Sequence, residues 1–215
     1  MTEDIISKAA KELQEGNMVA VYDGDEREGE ADLIIHAKHM TPKTIETLRK
    51  NAGGLICVAI EPKIAERMGL VFYTDILASS EFELKKMECK KTAYKDKPSF
   101  SIPVNHTGVY TGITDNDRSL TIKKLAELAE KKGDLRQEFM KEFYSPGHVF
   151  LLVGRGIQNR KGHTELALEL AKRADMAGMM VLCEMLGKGN ALSKEKVKEY
   201  TKDKGIVFLE GRDFE

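Results

Sequence analysis

An acidic stretch between two apolar runs holds the first residues that could do chemistry. Its six acidic members are Asp23, Asp25, Glu26, Glu28, Glu30 and Asp32. Hard divalent cations such as Mg²⁺ bind carboxylate oxygens together with water and substrate oxygens. Crowded carboxylates also raise one another's pKa, which makes one of them a candidate general base near neutral pH. The alternative is a solvated turn with ordinary surface charge.

Two residues inside this stretch favour a binding site over a plain turn. Arg27 lies among the acids, where its guanidinium could hold an anion. Gly29 would allow the loop to fold tightly over a ligand. The stretch therefore predicts a cation site with an anion nearby.

A second candidate group opens a predicted helix directly after two basic residues. It comprises Arg160, Lys161, Gly162, His163 and Thr164. A helix N-terminus offers free N–H groups and positive partial charge, which together favour phosphate binding. The imidazole of His163 could also ligate a metal. The alternative is an ordinary helix start with a surface histidine.

Three further positions are weaker on their own. His148 follows a Pro-Gly turn at the start of a predicted buried strand, where a lone histidine is more often structural than catalytic. Glu184 ends an apolar strand, and burying a carboxylate is costly unless it is paired or functional. It could equally turn to solvent. Thr111 belongs to the polar stretch 110–118, whose simplest interpretation is a loop that caps the next helix.

The elements that must position these residues are helices and strands that alternate imperfectly. The predicted strands cover 18–23, 33–37, 55–60, 100–104, 148–153, 179–186 and 206–209. The predicted helices cover 5–13, 42–51, 64–68, 119–130, 163–174 and 194–204. The charged segment 79–98 is interpreted as a surface excursion. Because we find no repeat and no linker, we expect one compact domain over 1–215, a mixed α/β or α+β layer structure.

The composition excludes several classes of protein. The chain has 215 residues, of which 41% are hydrophobic, so a proper core is expected. The net charge of −1 lacks the basic excess of a general nucleic-acid binder. Three cysteines without C-x-x-C spacing argue against a disulfide framework or a structural zinc site. We find no secretory leader and no apolar run of about 20 residues, so we expect a cytoplasmic protein without a membrane partner.

Six stretches, in order along the chain, resemble the 3,4-dihydroxy-2-butanone 4-phosphate synthase family. They are DEREGEAD (25–32), AGGLICVAI (52–60), TGITDNDR (111–118), SPGHVFLL (145–152), RKGHTE (160–165) and VLCEM (181–185). Together they span nearly the whole chain. The resemblance is to the stand-alone form of the family, without a fused GTP cyclohydrolase II domain.

The resemblance implies a fold, a reaction and a set of roles. The fold would be a mixed α/β sandwich, and D-ribulose 5-phosphate would be converted to L-3,4-dihydroxy-2-butanone 4-phosphate and formate. Mg²⁺ or Mn²⁺, two ions per site, would be held by Glu28 and His163. The enzyme would be a homodimer with shared active sites, to which the neighbouring subunit could contribute Thr111. The implied substrate contacts are Arg27, Glu28, Asp32, Thr111, Arg160, Lys161, Gly162, His163, Thr164 and Glu184.

The implied reaction needs several proton transfers. His148 and Glu184 match residues that are essential for turnover in the family. Proton abstraction beside the ketone needs a base, for which the acidic loop offers Glu30 and Asp32, and positive charge must stabilise the enediolate that results. The sequence leaves open which group moves which proton.

Two other functions use the same residues. Another metal-dependent enzyme on sugar phosphates, such as an isomerase or aldolase, would not release formate. A non-catalytic sensor of a phosphosugar would have no need of His148 and Glu184. A purely structural protein is disfavoured because the polar clusters would then be unrelated.

Overall fold

A seven-stranded mixed sheet organises residues 4–87 and 96–215, the parts of the chain that this computed structural model describes. The strands are β1 (Val19–Tyr22), β2 (Ala31–His36), β3 (Cys57–Ile60), β4 (Phe100–His106), β5 (Phe143–Val153), β6 (Met179–Glu184) and β7 (Val207–Glu210). Their order across the sheet is β4-β5-β3-β6-β2-β1-β7. The pairs β3–β5 and β1–β7 are parallel and the remaining pairs are antiparallel.

Helices cover both faces of this sheet. They are α1 (Ile5–Glu15), α2 (Pro42–Thr47), α3 (Pro62–Met68), α4 (Tyr73–Ala78), α5 (Asp115–Glu130), α6 (Arg136–Glu142), α7 (His163–Arg173) and α8 (Lys194–Lys204). Local sequence explains several of their ends. The Thr41 side chain accepts the Thr44 N–H at 3.1 Å, and Pro42 occupies the first turn of α2. Gly16 ends α1 with φ of 88°, a conformation that favours glycine.

Strand alternation divides the core into two apolar layers. On β2, Leu33 and Ile35 belong to the larger layer, which includes side chains of α2, α3 and α5. Ile34 belongs to the smaller layer with residues of α1 and α7. Because side chains alternate with period two, Asp32 and Glu184 lie on the same face of the sheet as α7. The layered mixed α/β fold expected from the sequence is confirmed.

The boundaries differ from the sequence predictions at several places. The helix predicted over 42–51 ends at Thr47 and continues as a wider turn over Leu48–Ala52. Strand β5 begins at Phe143, so the Pro-Gly turn lies inside it. The short helices α4 and α6 were not predicted. The predicted surface excursion over 79–98 contains a 3-10 turn at Glu83–Lys86, and its residues 88–95 lie outside the described parts.

The length and polarity of a helix decide whether it could cross a membrane. Within residues 4–87 and 96–215, each helix is too short or too polar to cross a membrane.

Candidate active site

The acidic loop between β1 and β2 is wound around one buried carboxylate. The oxygens of Asp23 accept the backbone N–H groups of Glu28, Gly29 and Glu30 at 3.1 to 3.2 Å. Gly29 has φ of 67°, which a residue with a side chain rarely adopts. Arg27 donates to Asp23 at 3.3 Å and to Asp96 at 2.7 Å. The loop is thus an ordered structure rather than a solvated turn.

The loop brings Glu28 close to the first residue of α7. Nδ1 of His163 lies 3.9 Å from Oε2 of Glu28, and Nε2 lies 3.1 Å from the backbone oxygen of Glu30. One ligand atom from each of Asp23, Glu28 and His163 lies within 4.8 Å of the other two. Oxygen donors with one imidazole suit Mg²⁺ or Mn²⁺. Because Asp23 already accepts three N–H groups, Glu28 and His163 are the better ligand pair, and their role stays a prediction.

Two carboxylates face α7 from neighbouring strands. Asp32 on β2 pairs in register with Glu184 on β6. Asp32 is 1% exposed, and its Oδ1 has no hydrogen-bond partner among the described residues. Nε2 of His163 lies 3.7 Å away from that oxygen. The geometry gathers a buried acid, a second acid and an imidazole on one face of the sheet.

Burial perturbs the titration of this group. It raises the pKa of Asp32 to about 7, and the neighbouring charges of Glu184 and Glu28 add to this rise against the opposing effect of His163. Burial is also the main cause of the raised pKa of Glu30. Although burial disfavours the imidazolium, the carboxylates of Asp32, Asp23 and Glu28 raise the pKa of His163. Both predicted base candidates therefore have environments that favour proton uptake.

The backbone before β3 fixes the carboxylate of Glu184. The N–H of Leu55 donates to Oε2 of Glu184 at 2.9 Å. A Cβ on Gly54 would lie 2.4 Å from the same oxygen, so only glycine fits there. Glu184 therefore lies against the sheet rather than turning to solvent.

These side chains surround a cavity of about 200 Å³. Its lining comprises Glu28, Asp32, Cys57, Pro98, Ser99, Phe100, Leu152, Arg160, His163, Thr164, Leu182 and Glu184. We call Glu28, Asp32, Arg160, His163, Thr164 and Glu184 the cavity cluster. A larger cleft of about 560 Å³ lies beside Lys63 and Phe214, but none of the predicted site residues lines it. The smaller cavity is therefore the candidate active site.

The second predicted group is only partly brought to the cavity. Arg160 and Thr164 line it, and Gly162 is the residue before α7. Lys161, predicted as a phosphate contact, does not line the cavity. Its Nζ pairs with Glu215 at 2.9 Å in an exposed position. The role of Lys161 as a phosphate contact stays a prediction.

His148 and Thr111 form a separate group on the edge strand side of the sheet. The N–H of His148 donates to Oδ1 of Asn105 at 2.8 Å, and Nδ2 of Asn105 donates to the Tyr144 hydroxyl at 3.1 Å. A Cβ on Gly112, which has φ of 90°, would lie 2.1 Å from Nδ2 of Asn105. We call Asn105, Thr111, Gly112, Tyr144 and His148 the Asn105 cluster. None of them lines the cavity.

Four residues at these sites were missed or weighted weakly by sequence reasoning. Asp23 orders the acidic loop, and Asn105 holds His148. Ser99 lines the cavity, and its buried hydroxyl has no hydrogen-bond partner among the described residues. Cys57 lies on the cavity wall and shares a face of the sheet with Leu182. An isolated serine or asparagine carries no periodic signal that would have identified it.

Comparison with known proteins assigns the family. The sequence model of 3,4-dihydroxy-2-butanone 4-phosphate synthase matches residues 7–214. A protein of that name from Methanosarcina acetivorans is 44% identical and is covered over 88% of its length by 97% of this chain. The riboflavin biosynthesis protein RibBA of Bacillus mycoides is 31% identical, with 88% of this chain covering 42% of it. A crystal structure of a 3,4-dihydroxy-2-butanone 4-phosphate synthase in complex with two magnesium ions superposes with a TM-score of 0.78 at 24% identity, over 97% of this chain and 93% of that one.

These matches define an enzyme of a known class with a mixed α/β fold. The chain belongs to the 3,4-dihydroxy-2-butanone 4-phosphate synthase family of riboflavin biosynthesis.

Proposed function

We propose that the chain converts D-ribulose 5-phosphate to L-3,4-dihydroxy-2-butanone 4-phosphate and formate. The observation that carries this proposal is the cavity cluster. It combines a pair of candidate metal ligands, a guanidinium beside a helix start and a buried carboxylate in one space of about 200 Å³. A small phosphorylated ketose needs all three.

The metal would be held by Glu28 and His163, as Mg²⁺ or Mn²⁺ with two ions per site. The two magnesium ions of the solved relative support this choice, as does the oxygen-rich donor set. Bound metal supplies positive charge where negative charge develops on the oxygens of the substrate.

The residues of this chain then bind the substrate and move its protons. Arg160 and the N–H groups at the start of α7 would bind the phosphate. Asp32, whose raised pKa of about 7 suits a proton acceptor at neutral pH, would take the proton beside the ketone, with Glu30 as the other candidate. Glu184 would transfer protons during the loss of water, the skeletal shift and the release of formate.

The Asn105 cluster would complete the site from a second copy of the chain. His148 and Thr111 do not line the cavity, although the resemblance assigns them to the reaction. Two exposed apolar side chains that flank Thr111 and Gly112 in the sequence support a contact between copies of the chain. Tyr110 is 96% exposed and Ile113 is 51% exposed. We propose a homodimer in which each active site uses both subunits. The buried free thiols of Cys57 and Cys183 support a reducing, cytoplasmic setting.

The test is formate release. Purified protein incubated with ribulose 5-phosphate and Mg²⁺ should release formate, and a chelator should abolish the release. Consumption of the substrate without formate would favour an isomerase or aldolase. Binding without consumption would favour a sensor.

A further inference from the structure

Glu165 is a buried carboxylate that has no part in the proposed proton transfers. It lies in the first turn of α7, its side chain is 0% exposed, and it does not line the cavity. Its Oε2 accepts from Nη1 of Arg160 at 2.5 Å, and its Oε1 accepts the backbone N–H of Arg155 at 3.0 Å. Burying a charge is costly unless it is paired and hydrogen-bonded. Here one carboxylate holds both ends of the loop over residues 155–160.

The guanidinium of Arg160 hydrogen-bonds to Glu165 through Nη1 only. Its Nε has no hydrogen-bond partner among the described residues. Nη2 lies 3.8 Å from Glu28 and Nε lies 3.6 Å from Asp96, and both distances are too long for hydrogen bonds. A Cβ on Gly162 would lie 2.1 Å from Nη1, so glycine is needed for the guanidinium to take this position. Arg160 lines the cavity, and its buried Nε is a donor without a partner there, so the Nε–Nη2 edge could bind two phosphate oxygens at once.

We propose that Glu165 is a positioning residue that orients Arg160 so that its Nε–Nη2 edge meets the phosphate of the substrate. The inference rests on the proposed function, because it needs a phosphorylated substrate in the cavity. Glu165 itself contacts no substrate. Without its carboxylate the guanidinium would lose its bond at Nη1 and would be drawn closer to Glu28 and Asp96, which it already faces at 3.8 Å and 3.6 Å, and the loop would lose the bond at Arg155.

The variant Glu165→Gln tests this role, with Glu169→Gln as the matched control. Glu169 lies one turn further along α7 and pairs with Arg173 at 3.0 Å, away from the cavity. For Glu165→Gln we expect KM for ribulose 5-phosphate to rise about 10-fold or more, since a charge-assisted hydrogen bond no longer orients the guanidinium. Turnover at saturation should change by less than about 3-fold, because binding is affected more than the chemical step. Glu169→Gln should change neither value.

A binding measurement separates this inference from the proposed reaction. Calorimetric titration with inorganic phosphate should show weaker binding to Glu165→Gln than to the unchanged chain and to Glu169→Gln. In an Arg160→Gln background, adding Glu165→Gln should weaken phosphate binding by no more than about 2-fold, because the two residues act as one unit. If the unchanged chain releases no formate but this pattern holds, the proposed function fails and the positioning role stands.

Three results would overturn the positioning role. The first is a folded Glu165→Gln variant whose KM and phosphate affinity equal those of the control. The second is a lowered melting temperature with no change in either value, which indicates a purely structural carboxylate. The third is an unchanged chain that does not bind phosphate. If Glu165→Gln does not fold, Glu165→Asp carries the test, because it keeps the charge but is too short to reach both partners.

Discussion

The cavity cluster and the Asn105 cluster differ in burial and in charge. The cavity cluster lies on the inner strands β2 and β6 and at the start of α7, and its Asp32 and His163 are almost fully buried. In the Asn105 cluster, Asn105 lies on the edge strand β4, Tyr144 and the exposed His148 lie on its neighbour β5, and Thr111 and Gly112 lie in the loop before α5. The first cluster is rich in charge, whereas the second holds its histidine with a neutral amide.

This difference in burial and charge suits the two clusters to different roles. Buried charges that are close together have shifted pKa values and can hold a cation, so the cavity cluster is suited to binding and proton abstraction. An exposed histidine beside exposed apolar residues is suited to completing a site across an interface. The predictions below alter one cluster at a time, or neither.

The largest effect is expected from Glu184→Gln in the cavity cluster. Glutamine can still accept the N–H of Leu55, so the fold should be retained. Turnover should fall by about 10³-fold, because a proton-transferring carboxylate is lost. Binding of ribulose 5-phosphate, measured by calorimetry, should stay within a few fold. Unchanged turnover would remove Glu184 from the mechanism.

The next largest effect is expected from Glu28→Gln, which should weaken metal binding. The loss of a charged ligand should raise the Mg²⁺ concentration needed for half-maximal activity by at least about 10-fold. Binding of Mn²⁺, followed by electron paramagnetic resonance, should weaken in parallel. Glu26→Gln in the same loop is the control, because Glu26 is exposed. His148→Gln should also leave metal affinity unchanged, and a metal defect in that variant would contradict the division into two clusters.

Much of the fold, but less of the site, was predictable from the sequence. The strands β2 and β6 were readable because each is a short continuous apolar run, which is typical of a strand buried on both faces. The helix α4 was missed because it has no buried residue and so no apolar stripe. The approach of Glu28 to His163 joins residues far apart in sequence, and only the sheet order brings them together. Lys161 and Arg160 are neighbours in sequence, but only Arg160 lines the cavity, whereas Lys161 pairs with Glu215, which the sequence pattern could not indicate.

A matched pair of glycine substitutions should separate the two clusters with a moderate effect. A Cβ at Gly54 would displace the Glu184 carboxylate, whereas a Cβ at Gly112 would displace Asn105. Each variant should lower turnover between about 10- and 100-fold, because small displacements of catalytic groups are costly. Only Gly54→Ala acts on the cavity, so substrate affinity should remain normal in Gly112→Ala. Weakened substrate binding in Gly112→Ala alone would reverse this assignment.

The smallest effect on activity is expected from His36→Gln, which lies outside both clusters. His36 is buried, and its Nε2 bonds to the Ala177 carbonyl at 2.8 Å. Burial lowers the pKa of His36 to about 4, so protonation is disfavoured in the folded state. The free energy of unfolding should therefore fall as pH decreases from about 6.5 to 4, by about 3 kcal/mol from this group.

In His36→Gln that part of the pH dependence should disappear. Chemical denaturation at a series of pH values measures it, with the unchanged chain as reference. Turnover and metal affinity at neutral pH should match the unchanged chain. If the free energy of unfolding decreases equally between pH 6.5 and pH 4 in both proteins, His36 is not the group responsible.

The most direct test of the two-cluster account is to mix two inactive variants. Glu184→Gln and His148→Gln are each expected to be nearly inactive, and they should be unfolded and refolded together. If each site uses the cavity cluster of one copy and the Asn105 cluster of another, mixed dimers regain one intact site. Random pairing then restores about a quarter of the activity of the unchanged enzyme. Formate release that stays at the level of the separate variants, in mixtures shown to contain mixed dimers, would contradict the account.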